Sequence, residues 1–304
     1  LLKIFLNKWS FNMDVYVHGN NIAQKEQDTK KYDDKTSNKY LKEIRIRYDK
    51  WKSDNENLIG PEKVIKKTDA SVISKRVALL NDYKEFIEQQ KYAEKFDSRS
   101  NLQSTVLEEF MCYLFKDLVS SISKNALIGK SHSFKDIFFR ASSFEEMTKI
   151  PCSFIEQKDH DFAIGTTINA KFQCKGESVV ENKNWDIPAI AIECKTYLDK
   201  TMLQDVSTAA EQLKGKNQNA MYIVIAEWLK LSEAVNLKKY KIDQIYILRK
   251  QKNTDREFRF AASYKKNPIY NDVIEHCFET VRSFLTKNWE GAILDGLKKG
   301  YLIN

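Results

Sequence analysis

The spacing of hydrophobic residues changes character part way along the chain. In residues 71–93, Val72, Ile73, Val77, Leu79, Leu80, Tyr83, Phe86 and Ile87 recur near helical spacing, which predicts a helix. Residues 40–51 (YLKEIRIRYDKW) alternate aliphatic and basic side chains and fit either a helix or an amphipathic strand. Residues 20–39 are polar and charged and read as a loop or frayed segment, and Gly60-Pro61 breaks the chain. After the polar break Phe96-Asp97-Ser98-Arg99-Ser100, Ser104-Thr105 is placed to cap a long helix, with Glu108 positioned to close a capping box. Leu107, Phe110, Met111, Leu114, Phe115 and Leu118 form one stripe on that helix. Glu108 sits on its border and Glu109 points farther away.

Downstream the period becomes strand-like. Phe162-Ala163-Ile164 and residues 187–197, 221–226 and 244–248 are short runs of β-formers bounded by polar or Pro-containing turns. Between the second and third, residues 199–214 are helical, with Met202, Leu203, Val206, Ala209, Ala210 and Leu213 on one side. A strand, helix, strand order implies a crossover connection and a mixed sheet. Residues 268–285 and 289–302 read as two amphipathic helices covering a sheet face. The chain is therefore expected to have a mainly helical N-terminal segment, residues 1–95, and an α/β core with C-terminal helices, residues 96–304. Met13 is the expected natural start, with residues 1–12 an upstream extension.

Charge adds a modest pointer to a polyanionic partner: 50 Lys+Arg against 42 Asp+Glu give a net +8 and a pI near 9.0. The 5 cysteines (Cys112, Cys152, Cys174, Cys194 and Cys277) are widely spaced, without a CxxC pair, and read as reduced thiols. The 4 histidines show no metal-ligand spacing, so zinc chemistry is not expected. No apolar run approaches the ~20 residues that span a bilayer. No membrane partner is expected, and the location is expected to be cytoplasmic.

Chemistry concentrates in Ile190-Ala191-Ile192-Glu193-Cys194-Lys195. Side chains two apart leave a strand on the same face, so Glu193 and Lys195 project together while Ile190, Ile192 and Cys194 project oppositely. A carboxylate and an ammonium on an apolar strand cost desolvation, which a site needing both explains. Phosphodiester hydrolysis asks for a divalent metal, an activated water and stabilisation of the leaving oxygen. Glu193 is a hard ligand suited to Mg2+, and Lys195 can orient or help deprotonate a water. A second carboxylate is expected upstream. Asp161, opening the Phe162 run at a strand edge, is preferred, with Asp159 and Asp186 as competitors. An isolated Glu-x-Lys is weak evidence, but here the apolar strand, the upstream Asp and the helix with a border glutamate occur together.

Residues 193–202 (ECKTYLDKTM), preceded by 158–164 (KDHDFAI) and 104–110 (STVLEEF), resemble the type II restriction endonucleases related to DdeI and BbvCI, within the PD-(D/E)xK superfamily. The resemblance spans residues 96–250 well and the front third loosely. It implies a restriction-endonuclease-like α/β core, a mixed central β-sheet flanked by helices, plus a helical N-terminal segment. It implies Asp161, Glu193 and Lys195 as the catalytic set, Glu108 as an auxiliary carboxylate, and metal ligation by Asp161, Glu193 and the Cys194 carbonyl. His160 stands where the family often has proline. The implied reaction is Mg2+-dependent cleavage of double-stranded DNA at a short, CTNAG-like sequence, leaving 5′-phosphate and 3′-hydroxyl ends. One site per chain and two antiparallel strands imply a homodimer, or a heterodimer as in some relatives. A cognate DNA methyltransferase and a bacterial cytoplasm complete the expectation. The alternatives are a repair, junction or nicking nuclease of the same fold, and a non-catalytic DNA-binding protein. Lys200, Lys214, Lys216 and Arg249-Lys250-Gln251-Lys252 are candidates for phosphate contact, and Arg140 and Gln157-Lys158 for base edges. Tyr197 and Trp185 read as packing residues.

Overall fold

A computed structural model describes residues 15–96, 101–232, 234–252, 261, 263–289 and 292–300. The extension before Met13, part of the polar break at 97–100 and the end of the tail lie outside them. In chain order the elements are α1 (Val17–Gln27), α2 (Lys35–Asn57), α3 (Asp69–Ile87), α4 (Gln90–Lys95), α5 (Thr105–Ile122), β1 (Leu127–Phe139), α6 (Phe144–Lys149), β2 (Ser153–Gln173), β3 (Val180–Leu198), α7 (Lys200–Lys216), β4 (Met221–Leu229), β5 (Gln244–Ile247), α8 (Asn271–Thr286) and α9 (Ala292–Lys299).

The strands form one mixed sheet in the order β1-β2-β3-β4-β5. β1, β2 and β3 pair antiparallel in sequence, and β3, β4 and β5 pair parallel, with α7 as the crossover. The expected α/β class and mixed sheet are observed. Alternation along β3 sorts its side chains between two cores. Ile190, Ile192 and Cys194 join Phe162, Ile223 and Ile225 in a large core with α5, α8 and the N-terminal helices. Ala191 joins Tyr222, Val224, Leu203, Val206 and Leu213 in a smaller core under α7. Phe115 of α5 and Phe278 of α8 stack at 5.7 Å within the large core. Among the described residues no helix is long and apolar enough to cross a membrane.

β2 and β3 are long, 21 and 19 residues, and their pairing shifts register between Ile164 and Gly165. A Cβ on Gly165 would stand 2.2 Å from the Ile187 carbonyl oxygen, so the close approach of the two backbones there requires glycine. Beyond this shift β1 reaches β3 directly, pairing Ser133 with Asp186.

Several local expectations are corrected. Residues 20–39 are largely helical: α1 occupies their first part, and α2 starts at Lys35, where Asp34 accepts the Thr36 and Ser37 N–H groups. Of the two alternatives for residues 40–51, the structure shows the helix. Ser104 makes no side-chain cap and the capping box does not form; Thr105 Oγ1 donates instead to the Asn101 carbonyl. Glu109 does not point away but is fully buried. β1 has no counterpart in the hydrophobic pattern because its inward positions include Ser131 and Ser133. Asp161 lies in mid-strand rather than at a strand start.

Candidate active site

The antiparallel β2–β3 ladder pairs Phe162 with Ile192 and goes no further toward the β3 C terminus, while β3 continues beside β4 as far as Leu198. At this fork the Asp161 carboxylate takes the place of a backbone acceptor: its Oδ2 accepts the Cys194 N–H at 2.9 Å. The Lys195 ammonium lies 3.0 Å from the same oxygen and 2.9 Å from Glu193 Oε2. The predicted Glu193-Lys195 pair and the separately predicted Asp161 thus meet at one point. The competing aspartates lie elsewhere. Asp159 is exposed and pairs with His132 at 2.7 Å. Asp186 accepts from Ser131 Oγ, the His132 N–H and Thr167 Oγ1, fastening the β1 end of the sheet.

Two further residues hold Glu193 from behind and have no signal in the sequence pattern. Tyr222 of β4 donates its hydroxyl to Glu193 Oε1 at 3.0 Å, and His160 Nδ1 lies 3.5 Å from that oxygen. Both are buried. His160 directly precedes Asp161 on β2.

Burial pushes the Glu193 carboxyl up, but the His160 hydrogen bond and the Lys195 charge outweigh it and hold the group well below the usual carboxylate range. Asp161 is shifted upward, by burial and then by the Glu193 charge. Burial lowers Lys195, yet the Asp161 and Glu193 charges together raise it above the ordinary lysine range. Glu108, entering from α5, is pushed up to about 8, first by burial and then by the charge of Asp161. Glu108, Lys130, Asp161 and Lys195 line one cleft of about 540 Å³. Lys130 was not anticipated, because β1 itself was not.

Among the described residues no group of three or more His, Cys, Asp or Glu side chains is arranged to hold a metal. Mg2+ does not require one, since it usually takes one or two carboxylates and keeps several waters. Asp161 and Glu193, flanking the Cys194 peptide, are a donor set of that kind, with only oxygen ligands and an open cleft beside them.

The basic candidates divide. Lys200 at the start of α7, Lys158 on β2 and Arg140 are exposed and outside the residues lining the cleft. Lys214 pairs with Asp243 at 2.7 Å, and Lys250 with Asp272. Arg249 is no phosphate ligand: it is buried and paired with Glu227 at 2.9 Å and Glu88 at 3.3 Å. Trp185 packs on Phe134, whereas Tyr197 lines the cleft.

Residues 99–302 match the sequence profile of the family described as Bpu10I restriction endonuclease. The fold is similar to that of a solved structure, "native BbvCI A2B2 tetramer at low resolution", with a TM-score of 0.67 and 19% identity, over 91% of this chain and 99% of that one. No curated protein matches.

Proposed function

This chain belongs to the Bpu10I restriction endonuclease family and is a nuclease of that kind, and from this premise we propose that it hydrolyses both strands of double-stranded DNA at a short specific sequence, with Mg2+, leaving 5′-phosphate and 3′-hydroxyl ends. One observation carries the assignment: Asp161, Glu193 and Lys195 meet within 3.0 Å contacts at the β2–β3 fork, where Asp161 and Lys195 line an open cleft.

Asp161, Glu193 and the Cys194 carbonyl would hold the metal. When bound, Mg2+ polarises the scissile phosphate and makes its water a stronger nucleophile. The chain's own part is positional and electrostatic. Lys195, fixed between two carboxylates, orients the attacking water and faces the charge that builds on the phosphate. Tyr222 and His160 keep Glu193 in one orientation. Glu108 adds a carboxylate from the α5 side, and Lys130 a positive charge on the cleft wall. Lys158, Arg140 and Lys200 supply DNA contacts outside the cleft, and a CTNAG-like core remains the proposed target.

Cutting two antiparallel strands with one site per chain calls for a two-fold homodimer. The A2B2 tetramer of BbvCI favours a second reading, in which this chain is one of two subunit types and nicks one strand when alone. A cytoplasmic restriction-modification system with a partner methyltransferase is the proposed setting.

Plasmid DNA incubated with the purified chain and Mg2+ separates these readings. Discrete linear fragments support the homodimer, site-specific nicks the heteromer, and cleavage confined to branched DNA a repair role. Salt-sensitive binding with no cleavage would leave a non-catalytic DNA-binding protein.

A further inference from the structure

One side of the cleft is built by neither the carboxylates nor the basic residues. Asn20, Asn21 and Gln24 of α1 line the same cavity as Glu108, Asp161 and Lys195. Their spacing puts three carboxamides on adjoining positions of one helix face. α1 lies upstream of the residues matched to the family.

An 11-residue helix of polar composition is marginal by itself. Glu109 holds this one in place. Its Oε2 accepts the N–H groups of His18 and Gly19 at 3.0 and 3.1 Å, donors that the first turn of a helix leaves unpaired. Its Oε1 accepts the hydroxyls of Tyr48 at 2.9 Å and Tyr113 at 2.6 Å. The His18 ring lies 2.9 Å from Thr105 Oγ1 and 2.7 Å from the Tyr83 hydroxyl, tying α1 to α5 and α3. A Cβ on Gly19 would fall 2.1 Å from the Tyr48 hydroxyl oxygen, so α1 sits close against α2. Glu108 and Glu109 are consecutive on α5: the first lines the cleft and the second sets the position of α1. Burying a carboxylate is costly, and four donors converging on Glu109 make a fixed junction rather than a sliding apolar contact.

We propose that α1 is a substrate-positioning wall, with Asn20, Asn21 and Gln24 hydrogen-bonding the sugar–phosphate backbone of the strand being cut, beside the scissile phosphate. This rests on the nuclease assignment above. The partner chemistry follows from place: groups that share a cavity with Asp161 and Lys195 reach the scissile phosphate and its immediate neighbours. Carboxamides bind phosphate and sugar oxygens without adding charge, so their contribution is orientation and not counterion release. Asn and Gln can also read adenine edges, which predicts a different result.

The experiment is single-turnover cleavage of plasmid DNA with Mg2+ by the full chain, counting nicks and linear product, for wild type and the double variant Asn20→Ala/Gln24→Ala. Asn21 is left intact because the buried Lys25 donates to its Oδ1 at 2.7 Å. The maximal rate is expected to fall about 100-fold, as for a substrate misplaced by an ångström. The cut sites, the thermal midpoint and the salt slope of DNA affinity stay as in wild type, whereas Lys130→Ala lowers that slope by about one. An unchanged rate overturns the proposal, and so does a changed set of cut sites, which marks base reading. A wild-type chain that cuts no DNA overturns the nuclease assignment and this proposal with it.

Discussion

Tyr222 donates its hydroxyl to Glu193 Oε1 at 3.0 Å across the parallel β3–β4 pair. Tyr222 is fully buried beneath α7 and cannot itself reach DNA, so its effect runs through the carboxylate it orients. Tyr222→Phe keeps the ring in the small core and removes this bond together with the hydroxyl's 3.4 Å contact to His160 Nδ1, the other group that holds Glu193. Outer partners of metal ligands typically contribute 10- to 100-fold to metal affinity or activity, roughly the expected rise in the Mg2+ concentration needed for half-maximal cleavage. A Mg2+ titration of the cleavage rate tests this, and an unshifted midpoint excludes the role.

Glu193 and Lys195 differ in what their loss should do. Glu193→Ala removes a proposed metal ligand, so cleavage is expected to be lost, and with it the rise in thermal midpoint expected of the wild-type protein with Mg2+. Lys195→Ala removes the cation between two carboxylates and keeps both. It is expected to lower cleavage by about 100- to 10,000-fold while the Mg2+-dependent rise in midpoint persists. Thermal melts with and without Mg2+, run beside the cleavage assay, distinguish the two. Equal responses from the two variants contradict the division of roles.

These residues were legible because alternation along an apolar strand fixes which side chains share a face, whatever the strand pairs with. Asp161 was legible only as one of three candidates. Choosing among them needs the β2–β3 register, which is set by long-range pairing and by Gly165, not by the local pattern. α1 escaped notice because its buried side includes His18, Gly19 and Lys25, so no apolar stripe announces it. β1 escaped for the same reason at Ser131 and Ser133. In both elements polar groups are buried and satisfied by partners distant in sequence, Glu109 for α1 and Asp186 for β1. Hydrophobic periodicity does not register such contacts.

Gly165 offers a test of the close approach between β2 and β3 at the register shift. In Gly165→Ala the new methyl meets backbone, the Ile187 carbonyl oxygen and Pro188, which cannot swing aside as a flexible side chain would. Overpacking of this kind costs about 1–3 kcal/mol. The strain sits four residues from Asp161, so cleavage is expected to fall together with stability. Urea unfolding gives the first quantity and the plasmid assay the second. A variant as stable as wild type shows that the strands separate there without cost.

Part of the acid sensitivity should trace to a buried charge cluster away from the cleft, beside the share that Glu193 contributes. Glu88 follows α3, and its carboxylate pairs with Lys84 at 2.9 Å, Lys266 at 2.8 Å and Arg249 at 3.3 Å, while Glu227 of β4 takes Lys84 at 2.7 Å and Arg249 at 2.9 Å. Burial pushes Glu88 up, but the charges of Lys84, Arg249 and Lys266 outweigh it and hold the carboxyl well below its ordinary value of 4.5. The unfolded chain therefore binds the proton first as pH falls. The stability this gives is fully present above pH 4.5 and declines below it, by at most about 1.4 kcal/mol per pH unit for one group. Glu88→Gln removes this slope and leaves the buried Lys84 and Arg249 and the part-buried Lys266 with one carboxylate fewer, at a cost of about 3–5 kcal/mol near neutral pH. Urea midpoints between pH 3 and 7 for both proteins provide the check. The wild-type curve should bend downward on the acid side and the variant's should lie lower and flatter, whereas parallel curves would place the acid-sensitive group elsewhere.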